Sequence, residues 1–210
     1  MLKSLKFIIP PIAILTVAGL VGFIGKGFAS DQPEKTAFSD YLKATSQNSP
    51  GQGKSLIPHN AVSIDGLNLS SFSIPIFLTP DARGIRSYQG TSLSGILKPS
   101  DEKIWFMMNG NQPQGIVVAN RTEPVKMGGK NRSKDLMRLY KAAKASVKRD
   151  HEIRYFEFEG QGIFVAGTGK HEIVYLSQGA AKLLNLPAGK KLSPSDVITG
   201  MKNRLQSFPR

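Results

Sequence analysis

Apolar and polar positions divide the chain into three unequal stretches. From Phe7 to Gly25 it runs without a charge, behind Lys3 and Lys6. Residues 30–60 are mostly polar and punctuated by Pro33, Pro50, Gly51 and Gly53, which reads as a flexible linker. Phe38, Tyr41 and Leu42 fit one short helical turn inside it. From Ala61 onward the apolar residues recur in the short periods of a folded domain, so the expected boundaries are 1–29, 30–60 and 61–210.

Within the last stretch, AVSI (61–64) and FSIPIFLT (72–79) read as strands. Pro75 lacks a ladder donor, so the second of them belongs at an edge or a bulge. Residues 80–102, with Pro80, Gly84, Gly90, Gly95 and Pro99, read as a long irregular connection. KIWFMMN (103–109) and QGIVVAN (114–120) form the clearest pair, an antiparallel hairpin turning at NGNQP. The unbroken run Trp105, Phe106, Met107, Met108 suits a strand covered on both faces. Ser133 then offers an N-cap for SKDLMRLYKAAKASVKR. Leu136, Leu139, Tyr140, Ala143 and Val147 share one face of that helix, and Lys134, Arg138, Lys141, Lys144 and Lys148 the opposite one. Three strands follow at 151–159, 162–167 and 171–177, then a short helix at 179–186 stopped by Pro187. Ser193-Pro194-Ser195-Asp196 starts a last helix, with a cap, a proline at its first position and an acid three residues after the cap. The fold class expected is α+β: one domain of antiparallel hairpins and a meander packed by two or three helices.

The first stretch bears on address. A basic start before an apolar segment is the export pattern. Gly27-Phe28-Ala29 offers small residues for cleavage after Ala29, as in a signal peptide. The apolar segment of 19 residues is longer than a usual signal core and about enough to span a bilayer, which favours an uncleaved anchor. Under both readings the domain is extracytoplasmic, in the periplasm or cell envelope; the anchor would tether it to the inner membrane through residues 7–25.

Charge changes the picture further. The formal charge is +13, and residues 1–29 contribute three lysines and no acid, so the surplus resides in the rest of the chain. Such an excess draws a protein toward anionic partners. There is no cysteine, which excludes disulfides, zinc–thiolate sites and thiol nucleophiles. No cofactor motif is present. Ten basic residues lie between Arg121 and Asp150, against Glu123, Asp135 and Asp150. The ordinary explanation is a solvated helix face. Here the enrichment continues through the preceding VKMGGKNR, which favours a binding surface made of Lys126, Lys130, Arg132, Lys134, Arg138, Lys141, Lys144 and Lys148.

Three other patterns suggest chemistry and do not carry it. His151-Glu152-Ile153 recurs as His171-Glu172-Ile173, with Tyr155 and Tyr175 at matching positions. Successive strand residues point to opposite faces, and strands one and three of a meander are about 10 Å apart, too far for two imidazoles to share an ion. Exposed strand starts are the expectation. GTGK (167–170) lacks the first glycine and the hydroxyl residue of a phosphate loop and reads as a hairpin turn. Glu157 and Glu159 alternate on one strand face; they could pair as catalytic carboxylates, but solvated strand positions are commoner. No nucleophile-elbow or S-x-x-K motif appears.

SIPIFLTPDARG (73–84), GIFVAGTGKHEIVYLSQGAAKLL (162–184) and SPSDVITGM (193–201) resemble one family. It comprises the intermembrane-space component of the chloroplast inner-envelope import translocon and its cyanobacterial periplasmic relatives. The resemblance implies two related halves, each with strands of V-P-V-F type and a helix after a short strand, and a chaperone-like role outside the cytoplasm. The first half of this chain departs from that pattern, and its helix is far more basic.

The function expected is therefore a non-enzymatic, membrane-anchored or secreted accessory protein of the envelope, within a secretion, conjugation or transport assembly. Its basic helix would face an acidic protein or an anionic membrane surface. The alternatives are an exported hydrolase using His151, His171 or the nearby glutamates, the chaperone-like role, and, less favoured, nucleic-acid binding. The sequence leaves the oligomeric state open.

Overall fold

In the computed structural model, which describes residues 32–47, 66–149 and 152–207, the run around Trp105 lies inside one eight-stranded sheet. The strands are β1 (Leu67–Leu69), β2 (Ile74–Leu78), β3 (Lys98–Asn109), β4 (Gln112–Ala119), β5 (Pro124–Gly128), β6 (Ile153–Phe158), β7 (Gln161–Ala166) and β8 (Ile173–Leu176). Their order is β5-β4-β3-β2-β6-β7-β8, with β1 paired to the end of β3. All pairs are antiparallel except β2 with β6. Five helices complete the described residues: α1 (Pro33–Gln47), α2 (Ala82–Ser87), α3 (Lys130–Lys144), α4 (Gln178–Leu184) and α5 (Pro194–Gln206). The α+β class expected from the sequence is the class observed.

Alternation along the strands builds two apolar faces, because neighbouring side chains point to opposite sides. Ile104, Phe106, Ile116, Val118, Tyr155 and Phe164 form one face, covered by Leu136, Met137, Leu139, Tyr140 and Ala143 of α3. Stacking of Phe72 on Tyr140, with ring centroids 4.8 Å apart, extends this core. On the other face, Met107 and Val117 pack with Ala37 of α1. Phe156, Phe158, Ile163, Val165, Val174 and Leu176 continue it beneath α2, α4 and α5. Helix α3 approaches β7 closely at Gly162, where an added methyl would lie 2.8 Å from Leu136 and 2.9 Å from the Tyr155 ring.

Several local expectations change. Of the two places expected for Pro75, the edge is excluded because β2 lies between β3 and β6, and the bulge agrees with a register shift between Pro75 and Phe77. The hairpin of β3 and β4 is tighter than expected: Asn109 pairs with Gln112, and Gly110 turns the chain with φ +54°. The stretch 80–102 is ordered rather than irregular. The Asp81 carboxylate accepts the Gly84 N–H at 2.8 Å and caps α2; Leu93–Gly95 form a 3-10 turn with Leu93 fully buried, and β3 begins at Lys98. Residues 33–47, within the stretch read as linker with one helical turn, form a helix of 15 residues seated on the sheet. Ser133 does not cap α3. The helix starts after Gly129, and the buried Ser133 hydroxyl donates to the Lys130 carbonyl at 2.8 Å.

The C-terminal part follows the sequence closely. Ser193 accepts the Asp196 N–H at 3.2 Å with Pro194 inside the first turn of α5. Helix α4 is capped by Ser177 and ends at Asn185, which adopts a left-handed conformation before Pro187 is reached. The strand expected at 61–64 and the apolar N-terminal segment lie outside the described residues. Among the described residues no helix is long and apolar enough to cross a membrane.

Candidate anion-facing surface

Helix α3 turns the apolar half of its pattern to the sheet, which leaves the cationic half outward. Lys134, Arg138, Lys141 and Lys144 are all exposed, as is Lys148 just beyond the helix. Lys141 and Lys144 occupy the last turn, where the helix dipole favours positive charge, so part of the stripe also serves the helix itself. The cations differ in what they touch. Arg138 pairs with Asp135 at 2.8 Å, and the second Asp135 oxygen accepts the Gln178 N–H at 3.0 Å, tying α3 to the start of α4. The Lys144 ammonium lies 5.9 Å from the Tyr140 ring centroid. Lys130, Lys134, Lys141 and Lys148 make no ion pair among the described residues. Their charge is directed at solvent.

The other two predicted cations are engaged. VKMGGKNR (125–132), expected to be loop, instead supplies most of β5 and the start of α3, and Lys126 on that strand donates to Glu157 of β6 at 2.8 Å. Arg132, in the first turn of α3, donates to the same carboxylate oxygen at 2.7 Å and to the Tyr155 hydroxyl at 3.2 Å. Tyr155, fully buried, donates its own proton to Glu157 at 3.0 Å. Burial alone would raise the Glu157 carboxyl, but hydrogen bonding from Lys126 and the Lys126 and Arg132 charges hold it below the usual carboxylate range. Burial and the adjacent Glu157 charge push the Tyr155 hydroxyl well above its usual value, so it stays protonated and acts as a donor. Two cations share one carboxylate here, which leaves the cluster net positive.

One extension was not visible in the sequence. A side chain at Gly189 would meet the Arg138 guanidinium at 2.5 Å, so the 188–191 turn sits beside the stripe and brings the exposed Lys190 and Lys191 to it. Only the docking of α4 reveals this juxtaposition, because the residues are far apart along the chain.

The competing sites separate. Ile153 and Ile173 both pair with Ala166, and Tyr155 and Tyr175 both pair with Phe164, so the two H-E-I copies begin the outer strands of a β6-β7-β8 meander in register. His151 lies outside the described residues. His171 is exposed on the Gly169–His171 turn. Glu172 departs from the exposed strand start expected of it. Its side chain is fully buried, pairs with Arg154 at 3.2 Å, and accepts the Leu93 and Ser94 N–H groups at 2.7 and 2.9 Å. Arg154 also donates to the Gly167 carbonyl. This latch joins the 93–95 turn to the meander. The residues of GTGK form the β7–β8 connection, with Gly167 at φ +87° and Gly169 at φ +57°.

Glu157 and Glu159 do not share a face. Glu159 sits at the β6–β7 turn with φ +47° and binds Arg204 of α5 at 3.0 Å, on the side of the sheet away from α3. Among the described residues, no three His, Asp or Glu side chains are grouped to hold a metal. A groove of about 460 Å³ between α4 and α5 is lined by Asn185, Asp196, Thr199, Asn203 and Arg204 among others, and none of the eight predicted cations reaches it. Comparison with known protein families, curated proteins and solved structures finds no match to this chain.

Proposed function

We propose that the chain is a non-enzymatic accessory protein of the cell envelope, secreted or held by its N-terminal apolar segment, that presents the outer face of α3 to an anionic partner. The observation that carries this reading is the set Lys130, Lys134, Lys141 and Lys148, exposed and without an ion pair among the described residues. An ordinary solvated helix mixes signs; on this one, Asp135 is the single acid from Lys130 to Lys144, and Arg138 and an α4 amide already engage it. Partners with the required chemistry are an acidic protein of a secretion, conjugation or transport assembly, or anionic lipid headgroups. Reversing Lys134, Arg138, Lys141 and Lys148 together to glutamate should abolish partner recovery after crosslinking and pull-down. Unchanged recovery would remove the basis of the reading.

A chaperone-like reading has one observation in its favour. A meander followed by a helix occurs twice, as β3-β4-β5-α3 and β6-β7-β8-α4, on either side of β2. Two related halves are what the resemblance to the import-translocon family implies. Suppression of aggregation of an unfolded client by the purified chain would favour this role, and no suppression would count against it.

A further inference from the structure

The two ends of the sheet are finished differently. At one end β8 is closed: Val174 and Leu192 exchange backbone hydrogen bonds of 3.0 Å, and the Gly189 N–H donates to the Leu176 carbonyl at 3.2 Å. At the other end β5 pairs only with β4, and no strand lies beyond it among the described residues. Large apolar side chains are exposed at three described positions, and two of them, Val125 at 43% and Met127 at 42%, are on this strand. Edge strands are commonly protected by an outward lysine, but Lys126 is held by Glu157. Pro124 and the five-residue length of β5 limit uncontrolled pairing while leaving Val125 to Gly128 able to take a short strand.

We infer that β5 is a docking edge for an extended acidic segment of a partner protein, which adds to the sheet as a further strand. The inference rests on the anionic-partner reading above and commits it to protein. Side chains alternate along an added strand, so the segment that fits would place apolar residues beside Val125 and Met127 and carboxylates on the Lys126 side, where Lys126 and Arg132 share the single Glu157 carboxylate and leave the cluster net positive. Charge selects the occupant. Arg121, Lys126, Lys130 and Arg132 surround β5 against Glu123 and Glu157, a net surplus of two positive charges. A second copy would set this surplus against itself, whereas an acidic segment neutralises it.

The test uses the full chain in a neutral detergent and two capped peptides of identical composition, one alternating valine and glutamate, the other with the two residues in blocks. The alternating peptide should slow amide exchange at residues 124–128 and bind at least about tenfold more tightly than the block peptide. V125K/M127K should abolish both effects although it adds two positive charges. Equal affinity for the two peptides, or undiminished binding to V125K/M127K, overturns the inference, since charge alone would then explain binding. Protection of 124–128 before peptide is added also overturns it; dependence on protein concentration would make the occupant a second copy, and independence another segment of this chain. The variant K134E/R138E/K141E/K148E separates the edge from the stripe. Order-dependent protection kept in that variant supports the edge even if the stripe fails its own test. Binding that follows the stripe and ignores peptide order overturns the edge and leaves the stripe standing.

Discussion

The meanders β3-β4-β5 and β6-β7-β8 share a plan and differ in how they end. Each has three antiparallel strands and leads into a helix. In the second, Val174, Tyr175 and Leu176 of the last strand are buried, its outer edge is bridged by Leu192, and the carboxylate just before it is locked against Arg154. In the first, Pro124, Val125, Lys126 and Met127 of the last strand are exposed, and the cluster holding it to β6 leaves Lys126 and Arg132 partly in solvent. One half is closed upon itself. Among the described residues the other keeps a backbone edge with no strand beyond it and the run Lys130, Lys134 and Lys141 without an ion pair, which is why the proposal places recognition there.

The largest effect expected from perturbing this contrast is at the latch. Glu172→Ala leaves the buried Arg154 charge uncompensated and two N–H groups of the 93–95 turn unsatisfied. Breaking such a pair should destabilise the fold by about 3–5 kcal/mol in chemical denaturation. A loss below about 1 kcal/mol would mean the pair is solvated. Next, Leu192→Pro removes the N–H donated to Val174 and should cost about 1–3 kcal/mol. Amide exchange should then accelerate in β8 and not in β5, making the two ends of the sheet more alike.

At the open end the effect is smaller and depends on pH. Because the folded Glu157 carboxyl is held below its usual range, its contribution is present at neutral pH and lost as pH falls through the depressed value. Glu157→Gln should therefore cost about 1 kcal/mol at pH 7, with both cations partly exposed, and the difference from the unmodified chain should vanish in strong acid. A difference that persists there would assign the effect to packing rather than charge.

Much of the fold was legible because it is local. The α3 pattern, the Ser193 to Asp196 cap and the β6-β7-β8 meander follow from periodicity and turn chemistry. What was not legible depends on tertiary pairing. Pro75 reads as either an edge or a bulge because only its missing donor is visible in sequence, and the choice between them requires β3 and β6 as partners. Glu172 reads as an exposed strand start because its partners, Arg154 and the Leu93 and Ser94 amides, come together only when the 93–95 turn folds against β8. The same holds for the stripe. Its cations were countable from the sequence, but their division into those bound by Glu157 and Asp135 and those facing solvent required the β5–β6 and α3–α4 contacts. Residues 33–47 lacked a strong apolar stripe, and their helix is defined by the sheet face that Ala37 meets.

Site-specific photo-crosslinking tests the central claim most directly. A photoreactive residue placed at Lys141, on the outer face of α3, is compared in intact cells with one at Thr199, exposed on α5 on the other side of the sheet. Crosslinks to an acidic protein or to anionic lipid should form from position 141, weaken as salt is raised, and be absent from position 199. Equal crosslinking from the two positions, or crosslinking from 141 that salt does not affect, would contradict the assignment of recognition to the basic face.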